Sequence, residues 1–96
     1  MAIRVIIERK TIPGNELLLS DLLMKLRAKA MSAKGYISGE TLRSLEDSNM
    51  YIVISTWNSV EEWKAWADNK ERKDIQAKID ALLKAPAMHR VYAYYW

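Results

Sequence analysis

The residues of this chain best equipped for chemistry are aromatic. Trp57, Trp66, Tyr36, Tyr51, Tyr92 and Tyr94 can wall a flat ligand and donate to it through indole N–H and phenol O–H groups, and Asn58 or Arg90 can polarise an oxygen held among them. Trp66, Asn58 and His89 are the side chains to weigh for a catalytic role. Other chemistries find fewer parts. His89 is the single histidine, and a lone histidine on an expected strand reads first as a cross-strand or surface residue and only then as a ligand. With one histidine and no cysteine, a metal would have to rest on carboxylates, which fall mostly on helix surfaces, so no metal site is expected. Ser55 and Ser59 have no histidine near them in sequence, and Ser59 has a better use as a helix cap. Gly14, Gly35 and Gly39 stand apart and make no phosphate-binding loop.

The element that positions most of these groups runs from Met50 to Trp66. From Met50 to Trp57 the residues are apolar or β-branched on both alternating faces, Met50, Ile52, Ile54 and Thr56 on one and Tyr51, Val53, Ser55 and Trp57 on the other. That is the pattern of a central strand covered on two sides. Ser59-Val60-Glu61-Glu62 then forms a capping box, in which the Ser59 hydroxyl accepts from the Glu62 amide and Glu62 reaches back to the Ser59 amide. On the helix that follows, Trp63 shares a face with Val60 and Ala67 and belongs to the core. Trp66 lies about 60° round from it, at the edge of that face, where it can wall a pocket.

The rest of the chain supplies the frame. Ile3 to Arg9 alternates as a first strand, with Ile3, Val5 and Ile7 on its apolar side. Thr11 to Asn15 turns into a helix running from Asn15 to about Ala33, whose stripe of Leu19, Leu22, Leu23, Leu26 and Ala30 faces the sheet. A weaker opposite row, Leu17, Met24, Ala28 and Met31, would stay wet in a monomer. Lys34-Gly35 stops that helix. Tyr36 to Leu45 is a second strand with a bulge or a bend expected at Gly39, and the polar Glu46 to Asn49 joins it as a hairpin to Met50–Trp57. After a break at Asn69-Lys70, a further helix is predicted to run to Ala85, and Ala87 to Trp96 is a last strand rich in aromatics.

The order β-α-β-β-α-β predicts an α+β, ferredoxin-like domain over residues 1–96, with an antiparallel sheet whose first and third strands are central. Helices cover one sheet face, yet the central strands are apolar on both. A second copy about a two-fold axis is the simplest cover, giving a homodimer through the sheet face. A chain of this length buries roughly 60–65% of its unfolded surface, so association would help it. The net charge of +3 is spread among acids, which argues against nucleic acid. RNA-recognition modules share the element order, but their aromatic signature belongs on the third strand, which here reads MYIVISTW. No apolar run is long enough to span a bilayer, and no leader is evident at Met1–Ile7, so a cytoplasmic protein without a membrane partner is expected.

The chain resembles the antibiotic biosynthesis monooxygenase family of the dimeric α+β barrel superfamily. The likeness is carried by KGYISGETL on the second strand and above all by TWNSVEEWKAW, Thr56 to Trp66. It implies a homodimer with a ligand pocket in each subunit between sheet and helices. For several members it implies oxidation of aromatic polyketides without metal or flavin. In such chemistry the substrate, a phenol or quinol, supplies the electrons, and the protein positions the ring, stabilises its anion and excludes water. A haem-degrading branch uses an Asn on the first strand, a Trp after the third and a His ten residues beyond. Trp66 fits the Trp, but the Asn falls at Ile7 and the His at Gln76, which is no ordinary axial ligand. The expectation is therefore a site without a cofactor, holding a small aromatic ligand. The alternatives are a non-catalytic dimeric ligand-binding or stress-associated module, and haem degradation.

Overall fold

A computed structural model describes residues 1–96 as β1 (Ile3–Lys10), α1 (Glu16–Ala30), β2 (Tyr36–Arg43), β3 (Met50–Trp57), α2 (Val60–Ala67), α3 (Lys70–Asp80) and β4 (Met88–Ala93). The four strands form one antiparallel sheet in the order β2-β3-β1-β4. This is the expected ferredoxin-like arrangement, with β1 and β3 in the middle. The strand pleat sorts the side chains. Ile3, Val5, Ile7 and Arg9 of β1 share a face with Tyr51, Val53, Ser55 and Trp57 of β3, and this face packs on the helices. Arg4, Ile6, Glu8, Met50, Ile52, Ile54 and Thr56 take the opposite, open face.

Leu19, Leu23, Leu26 and Ala30 of α1 are buried, with Leu22 packed beside them, whereas Leu17, Met24 and Met31 of the opposite row are largely exposed. Ser59 caps α2 by accepting from the Glu62 amide at 3.2 Å. The return bond differs from expectation: the Glu62 carboxylate accepts from the Ser59 hydroxyl at 3.0 Å instead of reaching the Ser59 amide. Gly35, at φ +87°, is needed where α1 gives way to β2, since a Cβ there would stand 2.7 Å from the Glu62 Cβ. Its carbonyl accepts from the Asn58 amide at 2.8 Å, which ties the start of β2 to the end of β3.

Several features depart from the sequence reading. The second strand ends at Arg43, not Leu45, where the chain turns with Ser44 N–H donating to the Met50 carbonyl. The first helix ends at Ala30, closed by a turn in which Ala33 N–H donates to the Ala30 carbonyl. The bulge in β2 falls at Ile37, between Tyr36 and Ser38, not at Gly39. Gly39 has another reason to be small: a Cβ there would lie 2.6 Å from the Tyr36 hydroxyl oxygen. The last helix stops at Asp80, not Ala85, because backbone groups beyond it are taken by the end of β1. Ile12 N–H donates to the Leu82 carbonyl, Lys84 N–H donates to the Lys10 carbonyl, and Thr11 Oγ1 donates to the Leu82 carbonyl. The last strand is confined to Met88–Ala93, and Tyr94 to Trp96 run past the end of β1, where no strand remains to pair with them. No helix is long and apolar enough to cross a membrane.

Candidate functional site

The hydrophobic core and the candidate site are built around one side chain. Trp57, at the end of β3, is 1% exposed, and its indole N–H donates to Ser55 Oγ at 3.0 Å, so the buried polar atom is satisfied from its own strand. Three rings surround it. Tyr36 meets it edge-on with centroids 5.4 Å apart, Trp63 at 5.7 Å with planes at 61°, and Trp66 stacks at 6.4 Å with planes at 23°. The capped start of α2 fixes this geometry, because a helix phased from Ser59 turns both Trp63 and Trp66 down onto β3. Trp66, placed by helical angle at the edge of the packed face, is as buried as Trp63.

These four rings border a cavity of about 50 Å³ between the sheet and the helices. Ile7 and Arg9 of β1, Gly39 to Thr41 of β2, Val53 and Ser55 of β3, and Leu23, Leu26, Arg27 and Ala30 of α1 complete most of its wall, with Arg72 of α3. An apolar protein cavity that accepts a benzene ring measures roughly 150 Å³. A ring can therefore enter only if the wall gives way.

Of the residues singled out in the sequence, Trp57 and Trp66 line this cavity together with Tyr36. Tyr51, Tyr92, Tyr94, Arg90, Asn58 and His89 do not. Topology explains each. With β1 central, β4 lies on the far side of β1 from the β2–β3 hairpin that walls the cavity. The pleat then turns Arg90 and Tyr92 to the open face, opposite Ile6 and Arg4, and Arg90 donates to Glu8 Oε2 at 2.9 Å. Tyr94 lies beyond the strand. Asn58 is exposed at the β3–α2 turn, and Tyr51 is buried further down the sheet beneath the Arg43 guanidinium.

Arg9 and Arg72 were not among the sequence candidates, yet both line the cavity. Arg9 is 2% exposed, and its Nη2 donates to Gln76 Oε1 at 2.8 Å. Gln76 Nε2 donates in turn to Asp80 Oδ1 at 2.7 Å. Burial pushes the Arg9 pKa down to about 10, helped by the charge of Arg72 and opposed by Asp80. Burial likewise lowers Arg72, again opposed by Asp80. Arg72 lies over the Trp63 ring at 5.4 Å, and its Nη2 is 3.4 Å from His89 Nε2. A signal for both arginines exists in the sequence. Arg9 is in phase with Ile3, Val5 and Ile7 on the buried side of β1, and Arg72 is in phase with Gln76 and Ile79 on the buried side of α3.

His89 contacts this network from outside the cavity. Desolvation, then Arg72 and Arg9, hold its pKa below the ordinary 6.5, opposed by its bond to the Ala87 backbone and by Asp80. The unfolded chain thus binds the proton first on acidification. The stability contributed by neutral His89 is complete above about pH 6.5 and is lost as pH falls from there through the lowered folded value. His89→Gln is expected to shrink the loss of stability between pH 7 and pH 5, measured by urea unfolding at each pH; an unchanged slope would remove His89 from this role.

The haem-degrading arrangement does not fit these residues. Gln76, at the histidine position, is held by Arg9 on one side and Asp80 on the other, Ile7 offers no polar atom at the asparagine position, and His89 is outside the cavity. No three His, Asp or Glu side chains are grouped to hold a metal ion.

Comparison with known proteins shows the same architecture elsewhere. A conserved protein from Methanosarcina mazei Go1 superposes with a TM-score of 0.91 at 17% identity, over 96% of this chain and 91% of that one. SnoaB, a cofactor-independent oxygenase from Streptomyces nogalater, superposes with a TM-score of 0.86 at 14% identity, over 100% and 96%. At such identities the likeness establishes the fold. Protein SchA of Streptomyces halstedii is 22% identical over 82 residues, 85% of this chain, which spans only 22% of that protein's length. The antibiotic biosynthesis monooxygenase family model matches residues 2–78, and the chain, with its tryptophan-walled cavity between sheet and helices, belongs to that family.

Proposed function

We propose that residues 1–96 act as one domain and, as a homodimer joined through the open sheet face, oxidise a small phenol or quinol with dioxygen without a cofactor. The observation that carries this reading is the meeting of Trp57, Trp63, Trp66 and Tyr36 at a single cavity of a chain in this family. SnoaB, of the same fold, is described as a cofactor-independent oxygenase. A phenol with a free ring C–H needs no external reductant: with one O₂ it gives a quinone and one water, the ring supplying four electrons. One oxygen atom forms the new C–O bond, and the other leaves with the two hydrogens lost from the ring carbon and the hydroxyl. What this chain supplies is orientation by the tryptophan walls and a dry surrounding in which the ionised ring meets O₂.

Oxygen uptake with small quinols, corrected for autoxidation with heat-denatured protein, tests the reading. Trp66→Ala is expected to lower turnover at least tenfold, while Trp66→Phe, which keeps a flat wall, retains most of it. Turnover untouched by Trp66→Ala would remove Trp66 from the site. A second reading, a dimeric module that binds a small ligand without transforming it, is favoured by one feature: the lining contains no histidine, and its single acidic residue, Glu40, pairs with Ile54 and so carries its carboxylate on the open face of the sheet. Saturable binding of quinols with no oxygen consumed would decide for that reading.

A further inference from the structure

We infer that the ligand of this cavity is an aromatic acid whose carboxylate is held by Arg9 and Arg72. This rests on the cavity being the ligand site, as proposed above, and adds the charge that its occupant carries.

Two guanidiniums line one small cavity, Arg9 at 2% and Arg72 at 6% exposure, and none of the chain's ion pairs includes either. Their partners are neutral. Arg9 donates through Nη2 to an amide oxygen, and its buried Nε has no partner at all. Arg72 meets the His89 ring and the face of Trp63. Asp80, whose charge both arginines feel, is exposed, and its link to Arg9 runs through the Gln76 side chain. Across the whole lining, Arg9, Arg27 and Arg72 face no carboxylate: Glu40, the single acidic residue of the wall, pairs with Ile54 and so turns its side chain to the open face of the sheet, where it forms no ion pair. Buried charge without a counter-charge is costly to a fold, and its retention beside a cavity is explained when the ligand brings the opposite charge.

The kind of anion follows from permanence and shape. Both arginines are charged throughout the neutral range, so the counter-charge must be present when the ligand arrives. A phenol, with a pKa of about 10, arrives neutral; a carboxylic acid, at about 4, arrives ionised. The guanidinium fork offers parallel N–H donors matched to the two oxygens of a carboxylate, and the unpartnered Arg9 Nε–H is one arm of such a fork. The cavity's 50 Å³ also suits a headgroup, since on that measure one water needs only about 10–15 Å³.

Calorimetric titration at pH 7 with benzoate, benzamide and phenol tests this, because the three share the smallest aromatic ring and differ in headgroup charge. The acid is expected to bind at least tenfold more tightly than either neutral compound, and in Arg9→Met and in Arg72→Met the preference should fall below about threefold with the amide affinity kept. Should one variant fail to fold, the wild-type preference and the other variant still decide. Equal affinity of acid and amide would overturn the inference while leaving the ring-binding cavity in place. Retention of the preference in the variants would overturn the assignment to these arginines. No binding of any of the three would overturn both the inference and the cavity reading beneath it.

Discussion

Trp57→Ala is expected to remove about 3–5 kcal/mol of folding stability, the usual cost of truncating a fully buried tryptophan. The side chain is 1% exposed and touches the three other aromatic rings of the site, so its loss takes away burial and three aromatic contacts together. Against the 5–15 kcal/mol that holds a typical domain folded, about that much brings the chain close to unfolding at ordinary temperature. Trp57→Phe should cost clearly less, because a six-membered ring still fills most of the space and the freed Ser55 hydroxyl can turn to another acceptor. Urea unfolding at fixed protein concentration, followed by circular dichroism, measures both. A loss below about 1.5 kcal/mol for the alanine variant would mean that Trp63 and Trp66 collapse into the gap, and that Trp57 is not the keystone of this core.

Ile54→Glu is expected to dissociate the proposed homodimer. Ile54 lies mid-strand on the open face of β3, between Ile6 on one side and Glu40 on the other. Leu42, Met88 and Tyr92 add exposed apolar surface to the same face. A glutamate there would be buried without a partner in the dimer, beside the like charge of Glu40, at a cost of about 3–5 kcal/mol per unpaired ion. Since 1.4 kcal/mol is a factor of about ten, dimer affinity should fall at least about a hundredfold. Light scattering at micromolar concentration should change from twice the chain mass of 11.1 kDa to that mass itself. A wild-type chain that already scatters as a monomer would end the dimer proposal, whatever the variant does.

The fold was legible because its signals are local. Alternation in Ile3–Arg9 and Met50–Trp57, the leucine stripe of α1 and the Ser59 cap each act within a few residues, and each appears in the structure at its expected place, whereas Gly35 takes its left-handed conformation five residues beyond the end of α1 and does not stop it. The boundaries that moved are those decided by distant partners. Residues 81–85 continue a helical pattern, but the backbone of Lys10 and Ile12 takes them into a bridge, and that competition is invisible to periodicity.

By itself the sequence determined the element order, the central strands, the two-sided apolar sheet and the aromatic character of the β3–α2 junction, because each depends on side-chain type and spacing along one segment. Only the tertiary structure decided which aromatics share a cavity and which charges lie inside it. Tyr92 and Trp57 are equally aromatic in sequence, yet the sheet order and the pleat put one on the open face and the other at the centre of the core. Arg9 and Arg72 are sixty-three residues apart and are brought to one cavity by packing α3 over β1. Their burial without a counter-charge is a property of that packing, since desolvation depends on what surrounds a group in space and not on its neighbours in the chain.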